Sequence, residues 1–320
     1  MQQLRNRFRI GIDLMGADTP PELLLHAAEG IHSPNSQLVL IGTAQFKQQT
    51  RLDFACAEEV IEMDDQPLTA IRRKKNSSLC VGLRMLKEGE IDAFVSAANT
   101  GALVFGAKTI LSMLKGFSRP ALCALLPTRK QPLAVLDVGA NVQCKATHLV
   151  QFALMGAAYQ RARGTKMPVI GLLNIGSEAM KGTSELRLAY RQLQKLAADP
   201  FFQFAGNIEG KSVFDGAIDV LITDGFAGNV FLKTAEGIAS LILDRISEHE
   251  QIGIELADLR KHLHYAEYPG ALLCGVRGVV IKCHGYSSPE AFAKGILAAI
   301  RMVEENFLQI IQDQLLYSSS

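Results

Sequence analysis

Residues 91–103 read IDAFVSAANTGAL, and this stretch contains the three parts from which most of the chain is built. The apolar run from Ile91 to Val95 has the length and side chains of a buried strand. The polar corner that follows contains Ser96, Asn99, Thr100 and Gly101. Apolar residues at helical spacing come directly after the corner, so the stretch predicts a strand, a polar turn and a helix in succession.

The same succession occurs at five other places. The apolar runs extend from Ile10 to Met15, Leu133 to Leu136, Val169 to Leu173, Ile218 to Ile222 and Val279 to Ile281. Weaker strand patterns cover Gln37 to Ile41, Val60 to Met63 and Ala121 to Leu125, and the clearest helical patterns cover Thr100 to Lys115, Asn229 to Ile246 and Pro289 to about Leu316. Strands that alternate with helices are typical of a mostly parallel sheet covered on both faces. We therefore predict an α/β fold with three layers, α/β/α, in which residues 1–320 form one domain with room for two lobes around a cleft.

Polar residues follow each strong strand, and in an open parallel sheet ligands bind beyond the carboxyl ends of the strands. Three of these corners are rich in hydrogen-bond donors: residues 96–101, 174–182 and 224–229. Asn99 or Thr100 is placed to cap a helix whose free backbone amides attract an anion. Lys181 adds a cation shortly after a strand, and Asn229 is expected to open the next helix. Together the corners predict a pocket for an anionic oxygen centre.

Composition and charge exclude several classes of protein. Apolar residues make up 48% of the chain and the net charge is +1, so neither disorder nor general attraction to nucleic acid is expected. A run of four cations, Arg72 to Lys75, is either a solvated helix end or a docking site for an acidic partner or a phosphate. The polar N-terminus and the lack of an obvious apolar span of about 20 residues predict a cytoplasmic protein.

No familiar cofactor signature is present. The first strand lacks a GxGxxG sequence after it, no GxSxG elbow occurs, and the six cysteines lack the spacing of a zinc site. Five carboxylates near strand ends are candidates for a metal site: Asp13, Asp18, Asp137, Glu178 and Asp224. Each is followed by turn residues, where a carboxylate commonly caps backbone N–H groups. We therefore expect neither a metal ion nor another cofactor.

Nine segments, spread over nearly the entire chain, carry recognisable motifs: Asp13 to Asp18, Arg73 to Ser78, Val95 to Leu103, Arg119 to Ala121, Asp137 to Asn141, Leu173 to Gly182, Thr223 to Gly237, Tyr268 to Ala271 and Val280 to Gly285. In this order they resemble the PlsX family, the acyl-acyl-carrier-protein:phosphate acyltransferases of bacterial phospholipid synthesis. Short segments such as Arg119-Pro120 do not identify the family by themselves. The segments around Asn99 and Asp224 are highly specific for it when they occur together.

The resemblance implies an isocitrate-dehydrogenase-like fold and a homodimer. It also implies reversible transfer of a long-chain acyl group from acyl carrier protein to inorganic phosphate, without a cofactor. The acyl phosphate would then pass to a membrane glycerol-3-phosphate acyltransferase.

From these motifs we assign catalytic roles to Asn99, Lys181, Asn229 and His284, as donors to phosphate or the oxyanion and as a proton carrier. The residues expected to bind phosphate or the acyl carrier protein are Gly16, Asp18, Lys75, Ser77, Ser78, Thr100, Gly101, Asn141, Glu178 and Asp224. Ala17 and Ala98 replace glycines that are usual in the family, which restricts the backbone there. The segment from Ser247 to Glu267 is shorter and more polar than the helical arm through which the family is expected to contact the membrane, so the resemblance supports peripheral membrane association less firmly here than the enzymatic reaction.

Three other functions remain open at this point. The first is a phosphotransacetylase-like enzyme that uses acyl-coenzyme A, and the second is a metal-dependent decarboxylating dehydrogenase of the same architecture. The third is a non-catalytic scaffold that binds the carrier protein or an acyl phosphate.

Overall fold

A computed structural model describes residues 7–198, 201–247 and 270–317. The chain divides into two compact units. The first unit comprises Met1–Pro120 and Pro269–Gln309, and the second comprises Ala121–Tyr268 and Ile310–Ser320. The prediction of one domain with two lobes stays a prediction.

The described residues form eleven strands and nine α-helices. The strands are β1 (Phe8–Asp13), β2 (Ser36–Gly42), β3 (Asp53–Cys56), β4 (Ala93–Ser96), β5 (Ala121–Leu126), β6 (Leu133–Leu136), β7 (Val169–Asn174), β8 (Gln203–Glu209), β9 (Val220–Ile222), β10 (Ala271–Cys274) and β11 (Val279–Lys282). The helices are α1 (Pro21–Glu29), α2 (Pro67–Arg73), α3 (Ser78–Lys87), α4 (Thr100–Ile110), α5 (Ala146–Ala162), α6 (Ser184–Leu196), α7 (Gly225–Ser247), α8 (Pro289–Glu304) and α9 (Phe307–Tyr317). Two 3-10 helices cover Ala44–Gln49 and Gly210–Asp215.

Each unit contains a mostly parallel sheet. In the first unit the strand order is β3-β2-β1-β4-β11-β10, and only β10 runs antiparallel to its neighbour there. In the second unit the order is β5-β6-β9-β7-β8, and only β5 is antiparallel. The carboxyl ends of the parallel strands within a unit therefore lie along one edge, as the sequence predicted.

Helices cover both faces of the sheet. Phe94 and Val95 are consecutive in β4, so their side chains point to opposite faces. A Cβ atom at Gly82 of α3 would lie 2.1 Å from the Phe94 ring, and one at Gly295 of α8 would lie 3.9 Å from Val95. Helices α3 and α8 thus pack on opposite sides of the same strand, which confirms the predicted α/β/α layers.

The strand predicted from Val60 to Met63 is wrong, since these residues form a loop. The carbonyl oxygens of the loop accept side-chain donors rather than a neighbouring strand. The Lys74 Nζ atom donates to the Val60 carbonyl at 2.8 Å, and the Asn99 Nδ2 atom donates to the Met63 carbonyl at 2.9 Å. Ile61 alone of the four is buried, so the apolar pattern marks one anchoring residue.

Three helix boundaries also differ from the sequence prediction. Helix α4 ends at Ile110 instead of Lys115, and Ser112 beyond it has a φ of +70°. The single long helix predicted from Pro289 is divided into α8 and α9 at Asn306, whose φ is +51°. Asparagine tolerates this left-handed conformation because its short side chain bonds locally. Helix α7 begins at Gly225, four positions before the predicted start at Asn229.

Helix α7 has an apolar and largely exposed surface. Between Gly225 and Arg245 it is long and apolar enough to cross a membrane by length and composition, although only 11% of that span is buried. This corrects the expectation that no such span occurs. The exposed apolar side chains include Phe226, Val230, Ile238 and Leu241. The segment Ser247 to Glu267, on which the membrane expectation depended, lies almost wholly outside the described residues.

Candidate active site

Three neighbouring parallel strands of the first unit end in polar, buried side chains. Strands β1, β4 and β11 end in Asp13, Ser96 and Lys282, whose exposed fractions are 0%, 0% and 8%. Ser96 is in register with Lys282, and its Oγ atom donates to Asp13 Oδ2 at 2.8 Å. The three side chains therefore form one buried polar row at the edge where α4 begins.

Asn99 caps α4 and also anchors the preceding loop. Its Oδ1 atom accepts from the Ala102 backbone N–H at 3.0 Å, which is the usual role of an N-cap residue. Its Nδ2 atom donates to the carbonyls of Met63 at 2.9 Å and Asp65 at 3.2 Å. Both ends of the amide are thus engaged with backbone, and the direct contact of Asn99 with an oxyanion stays a prediction.

The first turn of α4 has open donors. The backbone N–H groups of Thr100 and Gly101 have no acceptor within the part of the chain that the structure describes. The cap residue is neutral, and the first turn contains no acidic side chain. A helix N-terminus of this kind carries about half a positive charge and binds anions through its N–H groups.

His284 lies two residues beyond the end of β11, beside Gly285. Its side chain is exposed, and its Nδ1 atom accepts from the Tyr286 backbone N–H at 3.2 Å. A neutral imidazole that accepts at Nδ1 carries its proton on Nε2. A Cβ atom at Gly285 would lie 2.3 Å from Asp18 Oδ2, so the structure brings Asp18 against the His284 corner.

Gly16 shapes the neighbouring corner. Its φ is +68°, and a Cβ atom there would lie 2.3 Å from the Ile61 carbonyl oxygen. Any other residue would push away the loop that Asn99 holds. Gly16 therefore acts through backbone packing, and no contact that it makes singles it out as a ligand-binding residue.

The residues predicted to bind phosphate between positions 75 and 78 differ in their exposure to solvent. Ser77 and Ser78 are both buried. The Ser77 hydroxyl caps α3 by accepting from the Cys80 N–H at 3.4 Å, and the Ser78 hydroxyl hydrogen-bonds to Asp13. Lys75 is exposed. Phosphate contact by the two serines stays a prediction, and the geometry gives it no support.

Burial sets the ionisation of Asp13. The carboxyl is enclosed, and the loss of water raises its pKa from 3.8 to about 6, although bonds from Ser78, Ser96 and the Met15 N–H and the charge of Lys282 oppose the shift. The carboxylate is therefore mostly ionised at neutral pH. It becomes protonated at the lower edge of the physiological range.

The corresponding corner in the second unit is organised by Asp137. Its carboxylate accepts from the backbone N–H groups of Leu122, Gly139, Ala140 and Asn141, and from the Asn141 side chain, at distances between 2.7 and 3.2 Å. Burial nonetheless raises its pKa. This confirms the interpretation of Asp137 as a capping carboxylate, and Asn141 belongs to the turn that it holds.

Helix α7 begins directly on that turn. The Gly225 N–H donates to the Asn141 carbonyl at 2.8 Å, and Asp224 Oδ1 caps the helix by accepting from the Ala227 N–H at 2.7 Å. Asn229 is one turn further along and exposed, with its Oδ1 atom 3.8 Å from the position of a Cβ on Gly139. Asp224 is thus a structural cap, whereas Asn229 is presented on the surface of the turn.

Lys181 lies on a loop that is anchored at its base. Asn174 Nδ2 donates to the Lys181 carbonyl at 3.2 Å, and Asn207 Nδ2 donates to the Glu178 carbonyl at 2.8 Å. The Lys181 and Glu178 side chains both lie against Gly176, where a Cβ would be 3.2 Å and 2.8 Å from them. The Lys181 side chain is exposed, and its ammonium forms no ion pair with any described residue.

The predicted site residues therefore form two groups. The first unit brings together Gly16, Asp18, Asn99, Thr100, Gly101 and His284, and the second contains Asn141, Glu178, Lys181, Asp224 and Asn229. The assigned sites did not include Asp13, Ser96 and Lys282. The signal for them was present, because Ser96 and Lys282 directly follow apolar runs, Asp13 is a charged residue within the run from Ile10 to Met15, and adjacent parallel strands place their ends side by side.

Comparison with known proteins identifies the family. The model of the family described as "Fatty acid synthesis protein" matches residues 8–310. A protein named phosphate acyltransferase from Thermotoga petrophila is 39% identical over 98% of this chain and 96% of its own length. A protein of the same name from Chlamydia pneumoniae is 40% identical over 96% of this chain and 99% of its own.

Solved structures of lower identity share the fold. A phosphotransacetylase from Streptococcus pyogenes aligns with a TM-score of 0.62 at 17% identity, over 93% of this chain and 94% of that one. A 4-hydroxythreonine-4-phosphate dehydrogenase from Klebsiella pneumoniae aligns with a TM-score of 0.56 at 13% identity, over 92% and 99%. At this level of identity they establish the α/β architecture alone. The family match and the two phosphate acyltransferases cover nearly the whole chain, so the protein belongs to the PlsX family and is an acyltransferase.

Proposed function

We propose that the protein transfers a long-chain acyl group reversibly from the thioester of acyl carrier protein to inorganic phosphate. The products are an acyl phosphate and the free carrier thiol. Family membership supports transfer to phosphate, and the resemblance of the sequence motifs supports the carrier protein as donor. In this proposal the acyl phosphate serves phospholipid synthesis and is consumed by a membrane glycerol-3-phosphate acyltransferase.

The observation that carries the proposal is the first turn of α4. Thr100 and Gly101 present backbone N–H groups without an acceptor in the described chain, next to a neutral cap. Helix α7 differs, because the Asp224 carboxylate already occupies its N-terminus. An incoming phosphate is attracted by the free N–H groups at the N-terminus of α4 and repelled by the carboxylate at the N-terminus of α7. We therefore assign phosphate to α4.

The reaction requires position and charge more than a reactive side chain. A phosphate oxygen forms a bond to the thioester carbonyl carbon, and the carbonyl oxygen carries negative charge in the tetrahedral intermediate. Collapse of the intermediate breaks the C–S bond and releases the thiol. Phosphate is itself the nucleophile, so the chemistry needs no covalent enzyme intermediate and no cofactor.

Side-chain roles follow from ionisation and exposure. His284 carries a proton on Nε2 when neutral, which suits it to protonate the departing thiolate. Lys181 and Asn229 are exposed, and neither the ammonium nor the amide has a partner among the described residues. Their assignment to the oxyanion rests on this availability and on the chemistry of a cation and a neutral donor.

Recognition of the carrier protein is assigned to the cations at the end of α2. Arg72, Arg73 and Lys75 are exposed, whereas Lys74 is bound to Asp65 and to the Val60 carbonyl. An acidic carrier protein would be attracted to the three exposed cations. The proposal also includes a cytoplasmic homodimer, in which the exposed apolar side chains of α7 pack against the second copy.

The test is a transfer assay with ³²P-phosphate. Purified protein is incubated with palmitoyl-acyl-carrier-protein, palmitoyl-coenzyme A or acetyl-coenzyme A, and label is measured in the extracted acyl phosphate. We expect label to appear with palmitoyl-acyl-carrier-protein at the highest kcat/KM. Transfer from acetyl-coenzyme A alone would favour the phosphotransacetylase-like alternative, and no transfer from any donor would overturn the proposal.

A further inference from the structure

We infer that Lys282 and Asp13 are positioning residues for the phosphate site, because they hold the Ala97–Ala98 peptide from which α4 rises. The inference rests on the proposed function, since it assigns phosphate to the first turn of α4. Neither residue contacts the substrate in this scheme. Each acts by fixing the backbone that does.

The two residues hold one peptide group from both sides. The Lys282 Nζ atom donates to the Ala97 carbonyl at 3.3 Å. The Ala98 N–H donates to Ser96 Oγ at 3.2 Å, and the same hydroxyl donates to Asp13 Oδ2 at 2.8 Å. The carbonyl of residue 97 and the N–H of residue 98 belong to one planar unit. Its orientation is therefore set at both ends, two residues before the open donors of α4.

Lys282 also links this peptide to the His284 corner. Its Nζ atom donates to the carbonyl of Cys283, the residue directly before His284. The Cys283 N–H in turn donates to the Ser96 carbonyl at 2.9 Å. One ammonium thus contacts the chain leading to the phosphate donors and the chain leading to the imidazole. It fixes the distance between them.

The burial of the two charged side chains, Lys282 and Asp13, argues for a geometric role. Asp13 and Ser96 are fully buried, and Lys282 is 8% exposed. Buried charged groups are costly to desolvate and often contribute little to stability compared with apolar residues of similar size, and a role in specifying one arrangement is their best-attested use. An apolar residue at either position would fill the space but leave the Ala97 carbonyl or the Ser96 hydroxyl without its present partner.

The arrangement should also respond to pH. Asp13 is faced by the hydroxyls of Ser78 and Ser96, the Met15 N–H and the charge of Lys282, and the buried Cys80 thiol is also nearby. Its pKa is about 6. Below that pH the carboxyl is neutral and accepts from the Ser96 hydroxyl more weakly than the carboxylate does, so the Ala97–Ala98 peptide is held less firmly. Phosphate should therefore bind more weakly to wild type as the pH falls through this pKa. The Asp13→Asn variant should lack this part of the pH dependence, because its amide does not titrate.

The chain offers a direct probe of the site. Thr100-Gly101 is the single Thr-Gly pair in the sequence. Labelling threonine with ¹³C at the carbonyl and glycine with ¹⁵N therefore yields one correlation, which reports the Gly101 N–H. Titration with inorganic phosphate measures binding at that amide without any catalytic turnover.

The experiment compares Lys282→Met, Lys282→Arg, Asp13→Asn and the double variant Asp13→Asn/Lys282→Met with wild type. Lys108→Met is the matched control, because Lys108 is exposed on the same helix α4. We expect Lys282→Met to raise the phosphate KM by about tenfold or more, as loss of a residue that orients a ligand-binding group does elsewhere. The KM for the acyl carrier protein should stay unchanged, and the phosphate-induced shift of the Gly101 signal should shrink. Lys108→Met should match wild type.

The outcomes separate the inference from the proposed function. If phosphate shifts the Gly101 signal equally in wild type, Lys282→Met and Asp13→Asn, the inference is overturned while the phosphate site stands. If phosphate leaves the wild-type signal unmoved, the phosphate site itself is wrong. If Lys282→Met does not fold, the double variant Asp13→Asn/Lys282→Met and the single variant Asp13→Asn are compared with wild type instead. If the phosphate affinity of Asp13→Asn falls with decreasing pH as it does in wild type, the positioning role of Asp13 and Lys282 is overturned.

Discussion

Gly228 of α7 packs directly on the backbone of Asp137, so closely that a Cβ atom at position 228 would lie 1.9 Å from the Asp137 carbonyl oxygen. No real Cβ contact is that short, so the helix or the turn would have to move. Because Asn229 is the next residue, its place above Gly139 depends on this close approach. The glycine therefore connects helix packing with the presentation of a candidate catalytic amide.

Gly228→Ala should accordingly lower both stability and activity. We expect a loss of roughly 1–3 kcal/mol in the free energy of unfolding, typical of an overpacked site. Denaturant unfolding and kcat measure the two effects. Gly237→Ala is the control in the same helix, since nothing lies within 4 Å of a Cβ there. That change should stabilise the protein by up to about 1 kcal/mol with normal kcat; equal behaviour of the two variants would contradict the packing account.

The sequence predicted most of the fold because strands buried in a parallel sheet are continuous apolar runs. Strand β6 matches the predicted run from Leu133 to Leu136 in full. Strand β3 was missed because it lies at the edge of its sheet, is only four residues long and has no buried residue, so its apolar residues Phe54 to Cys56 form too short a run to stand out. The division of the C-terminal helix was missed because apolar spacing continues past Asn306, while a backbone torsion there decides the break.

The candidate site was predictable as a set of corners but not as a set of contacts. The polar residues at the strand ends were visible in the sequence. The bond between Lys282 and the Ala97 carbonyl joins residues 185 positions apart, and only the strand register places them together. Likewise, no residue near Asn99 in the sequence indicates that its side-chain amide donates to the carbonyls of Met63 and Asp65.

Asn99→Asp tests the anion site at α4. Aspartate keeps the acceptor that caps Ala102, but it places negative charge at the helix terminus and removes the donor to Met63. Like charges about 4 Å apart repel by ~1 kcal/mol in water and ~4 kcal/mol in a partly screened site, so the phosphate KM should rise on the order of 10- to 1,000-fold. Steady-state kinetics with varied phosphate measures this.

Ser288→Asp is the control for a charged cap elsewhere. Ser288 caps α8 through its hydroxyl, which accepts from the Ala291 N–H at 3.2 Å. The phosphate KM of this variant should equal that of wild type. A normal KM in a folded Asn99→Asp variant would place phosphate at some other position.

Lys181→Ala should reduce kcat by about 100- to 1,000-fold, the usual effect of losing one donor to an oxyanion. The side chain is exposed, so the melting temperature should change little. Lys211→Ala serves as the control, because Lys211 is exposed and pairs only with Glu209 among the described residues. A folded Lys181→Ala enzyme with near-normal turnover would remove Lys181 from the mechanism.

Reversing the charges at the end of α2 tests recognition of the carrier protein. Arg72→Glu/Arg73→Glu should raise the KM for palmitoyl-acyl-carrier-protein severalfold at low salt, and the difference from wild type should narrow as salt screens the charges. The phosphate KM should not change. Arg191→Glu/Lys195→Glu on α6 makes the same change in net charge at exposed positions. If both pairs act alike, the effect belongs to overall charge and not to a docking site.

The raised pKa of Asp13 predicts a specific dependence of stability on pH. A carboxyl whose pKa is higher in the folded than in the unfolded state stabilises the fold while it is protonated, and that contribution is lost as pH rises through the folded pKa. For Asp13 the loss runs from about pH 4 to just above the folded pKa of about 6, a shift of about 2 units from 3.8. Relative to Asp13→Asn, wild type should thus lose roughly 3 kcal/mol of unfolding free energy between pH 4 and pH 7.

Urea unfolding of both proteins across this range measures the difference. Asp137 also has a raised pKa, but it is present in both proteins and cancels. A constant difference between the two curves would mean that Asp13 does not titrate in this window.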